Sequence, residues 1–399
     1  MARVPAAVGP SFAFAAALAV ACGAPPPKAD SPAPKPAAAS APAPAHGAAA
    51  ENPPPAASPG VQSDGEIVSA VRWIEGDLEA ALAAAKAASK LVFVDVGAYW
   101  CPPCRELEEK VFTRADVGEV LTSNYVALHV DAEKGEGPEL VARYKVQAYP
   151  TLLVLDASGV EKGRLVDAME PKALLAALEK IAAGGDVLAE LEQKIQAAPD
   201  DLQARYELAV AYALAARRAQ ADAEFDRVIA GDPDNAKGLA AKAMSDRAAF
   251  LVAKIDGDSE RAVALYKELQ AKYPAAKESV RAYRAIGREQ HKLGRDAEAV
   301  ASLEAMVATD PSNNDLKSAF GWFAFREHCG QASALKEVDA AIARAGDNAE
   351  LHYLRAELQH QLGRGAEALA AIREAARLEP ESAFYKRQVR RFTELSGGT

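Results

Sequence analysis

An α/β domain followed by an all-helical repeat array is the fold class that this sequence predicts. Three observations carry it. The apolar run Leu91-Val92-Phe93-Val94-Asp95-Val96 leads through Trp100-Cys101-Pro102-Pro103-Cys104 into the helix-like stretch Arg105 to Phe112. From about Asp186 the pattern changes to helix throughout, with a repeat near 34 residues, as from Pro199 to Pro233. Ahead of both, residues 24–60 are nearly all Ala, Pro, Ser and Gly. Such a segment buries too little apolar surface to fold.

The chain begins with the parts of a targeting segment. Arg3 supplies a positive end, Ser11 to Ala21 an apolar core, and Ala19-Val20-Ala21 the small residues of a cleavage site. A cysteine at that site, Cys22, resembles the lipobox of bacterial lipoproteins, although Ala19 stands where Leu is favoured. The resemblance implies export to the cell envelope or periplasm, lipidation of Cys22 and anchorage to a membrane, since two or more acyl chains hold a protein stably there. A plain secretory signal with an incidental Cys22 is the alternative. Residues 23–62 then read as an extended tether. In polyproline II, 24–60 span on the order of 100 Å. No second membrane span is expected, because no other apolar run reaches about 18 residues without breakers.

The α/β domain is placed at residues 63–184. Its elements read in order as a strand Val68–Ile74, a helix Leu78–Ser89, the central strand Leu91–Val96, a helix Pro102–Phe112, a short helix Val117–Thr122, a strand Tyr125–Asp131, a helix Pro138–Tyr144, a hairpin of Leu152–Asp156 and Glu161–Val166 turned by Ser158-Gly159, and a closing helix Pro171–Ala183. Two cysteines three apart at a strand-to-helix turn are a redox arrangement. The helix start offers unpaired N–H groups and the positive end of the dipole, which stabilise a thiolate at Cys101. The second thiol, Cys104, lies within reach to close a disulfide. Pro102 and Pro103 fall where a missing N–H costs little. Half of a zinc site is the rival reading. Structural zinc takes four ligands, yet Cys22 and Cys329 have no C-x-x-C or H-x-x-x-H partner. No metal and no organic cofactor is expected.

With these residues in place the stretch of about 66–184 resembles thioredoxins. Asp95, six residues before Cys101, stands where that family keeps a buried acid beneath its disulfide, and Tyr149-Pro150-Thr151 matches its cis-proline loop. The segment Glu106 to Val117 is similar to the thioredoxin-like domain that ends bacterial membrane electron-transfer disulfide reductases, and to related periplasmic proteins. The resemblance implies a thiol–disulfide oxidoreductase with Cys101 as nucleophile, Cys104 as resolving thiol and Asp95 exchanging the proton of Cys104. Trp100 would shield the thiolate, and Tyr149 and Pro150 would receive an extended substrate chain. Two departures stand out. A Lys common near the buried Asp is absent, the strand offering Ala127 and His129, and a Gly usual beside the cis-proline groove is replaced around Asp167.

The helical region, 186–399, repeats small and aromatic positions. Leu208, Ala209, Tyr212, Ala221, Phe225 and Pro233 recur as Ile286, Gly287, Gly294, Ala299, Leu303 and Pro311, and again as Ala356, Gly363, Ala368, Ile372 and Pro380. This is the tetratricopeptide spacing. About five repeats are expected, one lengthened near Ile255-Asp256-Gly257-Asp258, with a half-repeat before them and a capping helix Phe384–Leu395. Such arrays present a surface for a protein or peptide partner. Cys329, beside Phe320, Trp322, Phe323 and Phe325, reads as a buried small hydrophobe, with a regulatory disulfide to Cys101 or Cys104 as the sharper alternative. The basic run Lys386, Arg387, Arg390, Arg391 reads as a solvated face, and Glu108 and Glu109 likewise. A net charge of −10 argues against a nucleic-acid partner.

Together these features predict an exported disulfide reductase that acts on protein disulfides, draws electrons from another dithiol protein and carries a partner-binding array. The rival classes are an interaction scaffold with a vestigial redox domain and an assembly factor whose thiols only hold a client.

Overall fold

A computed structural model describes residues 60–61 and 67–397, apart from 147, 186 and 346. The expected leader with Cys22 and nearly all of the Pro/Ala tether lie outside the described residues.

The α/β domain is a five-stranded sheet in the order β3 (Trp73–Glu75), β5 (Tyr125–Asp131), β4 (Leu91–Gly97), β6 (Thr151–Leu155), β7 (Glu161–Val166). The first three strands are parallel, and β6 and β7 run antiparallel. A small ribbon, β1 (Gly60–Val61) with β2 (Ile67–Val68), precedes it. β4 is central and buried on both faces, which is why it reads as a continuous apolar run. Val92, Val94 and Val96 pack on one side against α1 (Leu78–Ala88) and Leu140 of α4 (Gly137–Arg143). Phe93 packs on the other with Leu107, Val111 and Phe112, Leu121 of α3 (Ala115–Asn124), and Leu174 and Leu178 of α5 (Pro171–Ala182). Asp77 caps α1, its carboxylate accepting from Ala80 N at 2.8 Å.

The expected first strand, Val68–Ile74, is broken in two. Ser69 Oγ accepts from Val71 N and Trp73 Nε1 at 3.1 Å, and Ala70 N donates to Phe112 O at 2.8 Å. The backbone between β2 and β3 is thus tied to side chains and to the neighbouring helix rather than to a ladder. The helix after the cysteines, α2 (Pro102–Glu106), continues into a π-helical turn, Leu107–Val111.

Beyond residue 185 the structure is helical. Among the described residues α6 (Val187–Ala197) precedes five antiparallel pairs: α7 (Leu202–Leu214) with α8 (Arg218–Gly231), α9 (Leu239–Asp246) with α10 (Ser259–Lys272), α11 (Lys277–Lys292) with α12 (Asp296–Thr309), α13 (Asn314–Glu327) with α14 (Gln331–Arg344), and α15 (Ala349–Gln361) with α16 (Gly365–Leu378). α17 (Ala383–Gly397) ends the solenoid. The lengthened repeat runs from α9 into a π-helical stretch, Arg247–Ile255, so the extra residues widen a helix instead of looping out. Asp232, in the first Asp-Pro stop, turns its carboxylate onto the backbone N–H groups of Lys237, Leu239 and Ala240 and so caps α9. The small repeat positions are steric: a Cβ on Gly287 would lie 2.3 Å from Leu303 of α12.

Candidate active site at the domain junction

Cys101 is the N-cap of α2, and its Sγ lies 3.3 Å from Cys104 N, the contact expected of a thiolate at a helix start. The two cysteines form a disulfide, with Cα atoms 5.3 Å apart. Gly97 passes directly beneath; a Cβ there would stand 3.3 Å from Cys104 Sγ. The peptide bond Tyr149–Pro150 is cis, as the resemblance implied. Asp167, at the position usually given to Gly, adopts φ 82° and donates its N–H to Pro150 O at 3.0 Å. It therefore takes the left-handed backbone conformation that favours glycine, and the loop keeps its form.

Asp95 sits two residues before Gly97 on β4, paired in register with His129 of β5 and Leu152 of β6. Its Oδ1 is buried with no hydrogen-bond partner among the described residues. Burial pushes its pKa up to about 6, His129 opposing and Glu108 and Glu75 adding to the rise. A cavity of about 400 Å³ opens beside it, lined by Asp95, Cys104, Glu75, His129, Glu108 and Arg387 among others. His129 Nδ1 is 2.9 Å from Glu75 Oε2. Burial lowers the affinity of that imidazole for a proton, but Asp95 and Glu75 outweigh it and the pKa is raised. The strand that lacks the family's Lys places an imidazole in register with the buried acid, a cation there when protonated.

The solenoid forms the other wall. The Trp100 ring lies 6.4 Å from that of Tyr149, edge to face, and 6.4 Å from that of Trp322 of α13, tilted, and the Arg326 guanidinium lies 4.3 Å from its ring centre. Trp100 Nε1 donates to Glu133 at 3.0 Å. Arg105 lies over Phe384 at 4.4 Å, Arg387 bonds Glu108 at 2.9 Å, and Phe384 N donates to Glu109 Oε1 at 3.0 Å. Arg391 lies 5.2 Å from the Tyr99 ring and also pairs with the buried Glu357.

Several expectations change here. Cys101, expected at the helix start as the attacking thiol, is only 3 % exposed, whereas Cys104 is half-buried toward the cavity. Cys101 shares one apolar cluster with residues of the solenoid. The basic run on α17 is not merely a solvated face, because Arg387 and Arg391 grip the redox domain. Glu108 and Glu109 likewise bind α17. The aromatic cluster on α13 was a usable signal, since Trp322 within it reaches Trp100. Its partner, Trp100, was not readable from it. Cys329 is fully buried, as expected of a core thiol, and is not joined to Cys101 or Cys104. His291 and Asp296 approach it within 4.8 Å. The 2.6 Å contact between His291 Nδ1 and Asp296 is a hydrogen bond, shorter than the spacing of two ligands on one zinc ion with bonds of about 2.0–2.2 Å.

A thioredoxin-like domain model matches residues 78–182, and tetratricopeptide models match 181–251 and 349–382. Among known proteins, the chain is 37 % identical over 86 residues to the thiol:disulfide interchange protein DsbD of Pseudomonas sp. (strain JR1 / K1), covering 21 % of this chain and 15 % of that protein. It is 36 % identical over 104 residues to a thioredoxin of Echinococcus granulosus, covering 26 % of this chain and 88 % of that one. A putative disulphide-isomerase structure from Bacteroides thetaiotaomicron aligns at 38 % identity over 29 % of this chain and 94 % of that chain, with a TM-score of 0.27. The chain thus spans about a seventh of the DsbD relative and nearly all of the thioredoxin. Through its residues 78–182 it belongs to the thioredoxin-like family, as a disulfide oxidoreductase domain joined to tetratricopeptide repeats.

Proposed function

We propose that the chain is an exported protein-disulfide reductase. The observation that carries this reading is the Cys101–Cys104 disulfide at the start of α2, with Asp95, whose buried Oδ1 has no hydrogen-bond partner among the described residues, and Cys104 on one cavity. In the reduced enzyme the Cys101 thiolate attacks one sulfur of a client disulfide. That bond breaks, the second client sulfur leaves as a thiolate, and a mixed disulfide forms. Cys104 gives its proton to Asp95 and attacks Cys101 Sγ, and the first client sulfur leaves. The client has then gained two electrons and Cys101–Cys104 is oxidised. A separate dithiol protein returns the electrons. Trp100 and Tyr149, edge to face beside the cis peptide, bracket the groove in which an extended client chain lies.

Export and anchorage rest on Arg3, the apolar core Ser11 to Ala21 and Cys22. In this reading a lipid on Cys22 supplies the attachment; no helix among the described residues is long and apolar enough to cross a membrane. The tether gives the domains reach, and the repeats recruit the protein partner. Cys22→Ser should move the protein from the detergent phase to the aqueous phase. An unacylated mature N-terminus in the wild type would remove the anchor from the account.

The test of the chemistry is turnover of a protein disulfide with a dithiol donor, together with the reduction potential. A potential near about −270 mV marks a reductase and one near about −120 mV an oxidant. Absence of turnover by the full chain would favour a scaffold.

A further inference from the structure

Cys101 should be the open thiol of such a site, and it is the closed one. The residues that close it come from the far end of the same chain. Leu316, Ala319 and Trp322 of α13, with Val280 and Tyr283 of α11, join Ala98, Trp100, Cys101 and Tyr149 in one apolar cluster. Leu316, Ala319, Trp322 and Arg326 recur at three- and four-residue steps, so they form one stripe of α13. Trp322 and Arg326 from that stripe lie against Trp100, where a client bound alongside Cys101 and Pro150 would need to pass. α17 secures the other flank through Arg105 on Phe384, Glu108 with Arg387 and Glu109 with Phe384 N. Near the start of the solenoid, Arg164 reaches Leu214 O at 3.1 Å.

We infer that the solenoid is a gate in cis: its α11–α13 face and α17 occupy the client-docking surface of the redox domain, and Trp322 and Arg326 decide which disulfides reach Cys101. The inference rests on the reading of Cys101 as the entry thiol. The chemistry of the contact suits a gate. Beside the apolar cluster, its polar contacts are an ion pair with both members partly exposed and cation–π pairs, which are weak singly and screened by salt. Relative motion is the default for domains of one chain whose interface is neither large nor wholly hydrophobic. The solenoid and the client compete for one surface of the redox domain.

The test is alkylation of Cys101 in the folded, reduced full-length chain. The probes are N-ethylmaleimide and a maleimide carrying a polyethylene glycol tail, with the modified cysteine identified by mass spectrometry. Cys329, fully buried inside the solenoid, reports unfolding. Arg387→Glu places a like charge against Glu108 and should speed modification of Cys101 by about three- to tenfold, the range of one or two such weak contacts. Trp322→Ala should speed it at least as much, and added salt should speed the wild type, Cys329 staying unreactive throughout. Equal Cys101 rates in the wild type and Arg387→Glu at low salt would overturn the gate. So would a rise of Cys101 and Cys329 together, which is unfolding. Neither reagent needs turnover, so a chain with no reductase activity still reports on the gate, and a failed gate leaves the reductase assay intact.

Discussion

The redox domain and the solenoid differ in how far along the chain their parts come from. In the redox domain β3 joins β5, and β4 lies between β5 and β6, so the sheet is built from distant segments. In the solenoid each helix packs on its neighbours in sequence, as repeats do. The active site belongs to neither scheme alone. Its strand, turn and cysteines are local to residues 91–104, while its outer wall joins Glu109 to Phe384 and Glu108 to Arg387, 275 and 279 residues away. The difference teaches that the reagents of this chemistry are local features, whereas access to them is a long-range one.

The largest effect expected within the redox domain is on Asp95. Asp95→Asn removes the proton acceptor for Cys104 and should slow release of the mixed disulfide by about 100-fold near neutral pH, the low end for lost general acid–base catalysis. With the wild-type carboxyl titrating at about 6, release should slow as pH falls below 6, and the variant should lack that limb. The same substitution carries a stability change of opposite sign. An acid whose pKa rises from 3.8 to about 6 on folding binds its proton more tightly when folded. Stability is then lost as pH rises from about 4 through 6, by on the order of 3 kcal/mol. Asp95→Asn should return part of this at pH 7, on the order of 1–2 kcal/mol, in denaturant unfolding. Slower chemistry without added stability would break the picture of a carboxylate buried for function.

Much of this was legible because it is local. Trp100 to Cys104 after an apolar run, Asp95 six residues earlier and Tyr149-Pro150 before a strand all lie where the sequence put them, and Asp232-Pro233 closes a helix as expected. The split of the first strand was not legible, because it depends on Ser69 finding Trp73 and on Ala70 finding Phe112. The pairing of His129 with Asp95 needed the strand register. The roles of Trp322, Arg387 and Arg391 needed the two regions to be docked. In sequence each is only an aromatic or a charge on an amphipathic helix.

A second effect should stay inside the solenoid. Gly287→Val forces a side chain onto Leu303 and Ala299, and overpacking of this kind costs about 1–3 kcal/mol. Helical melting by circular dichroism should move down, while the reduction potential of Cys101–Cys104 stays constant. A shifted potential would mean that the regions are energetically less separate than their packing implies.

The smallest effect concerns His129. Its positive charge opposes the rise of the Asp95 pKa, while Asp95, Glu75 and Glu108 favour its own protonation. His129→Gln should therefore move the acidic limb of mixed-disulfide release to higher pH, by a fraction of a unit to about one unit, and His129→Lys should move it back. A limb that does not move with either variant would leave His129 a packing residue.

The account's central claim is that Cys101 attacks and Cys104 resolves at a site closed by the chain's own solenoid. Trapping tests it most directly: full-length Cys104→Ser and Cys101→Ser are expressed in cells and their disulfide adducts compared by mass spectrometry. Cys104→Ser should retain a client protein through Cys101, because attack proceeds and resolution cannot, and Cys101→Ser should retain little. Equal adducts from both variants, or none from either, would contradict the assignment of the nucleophile.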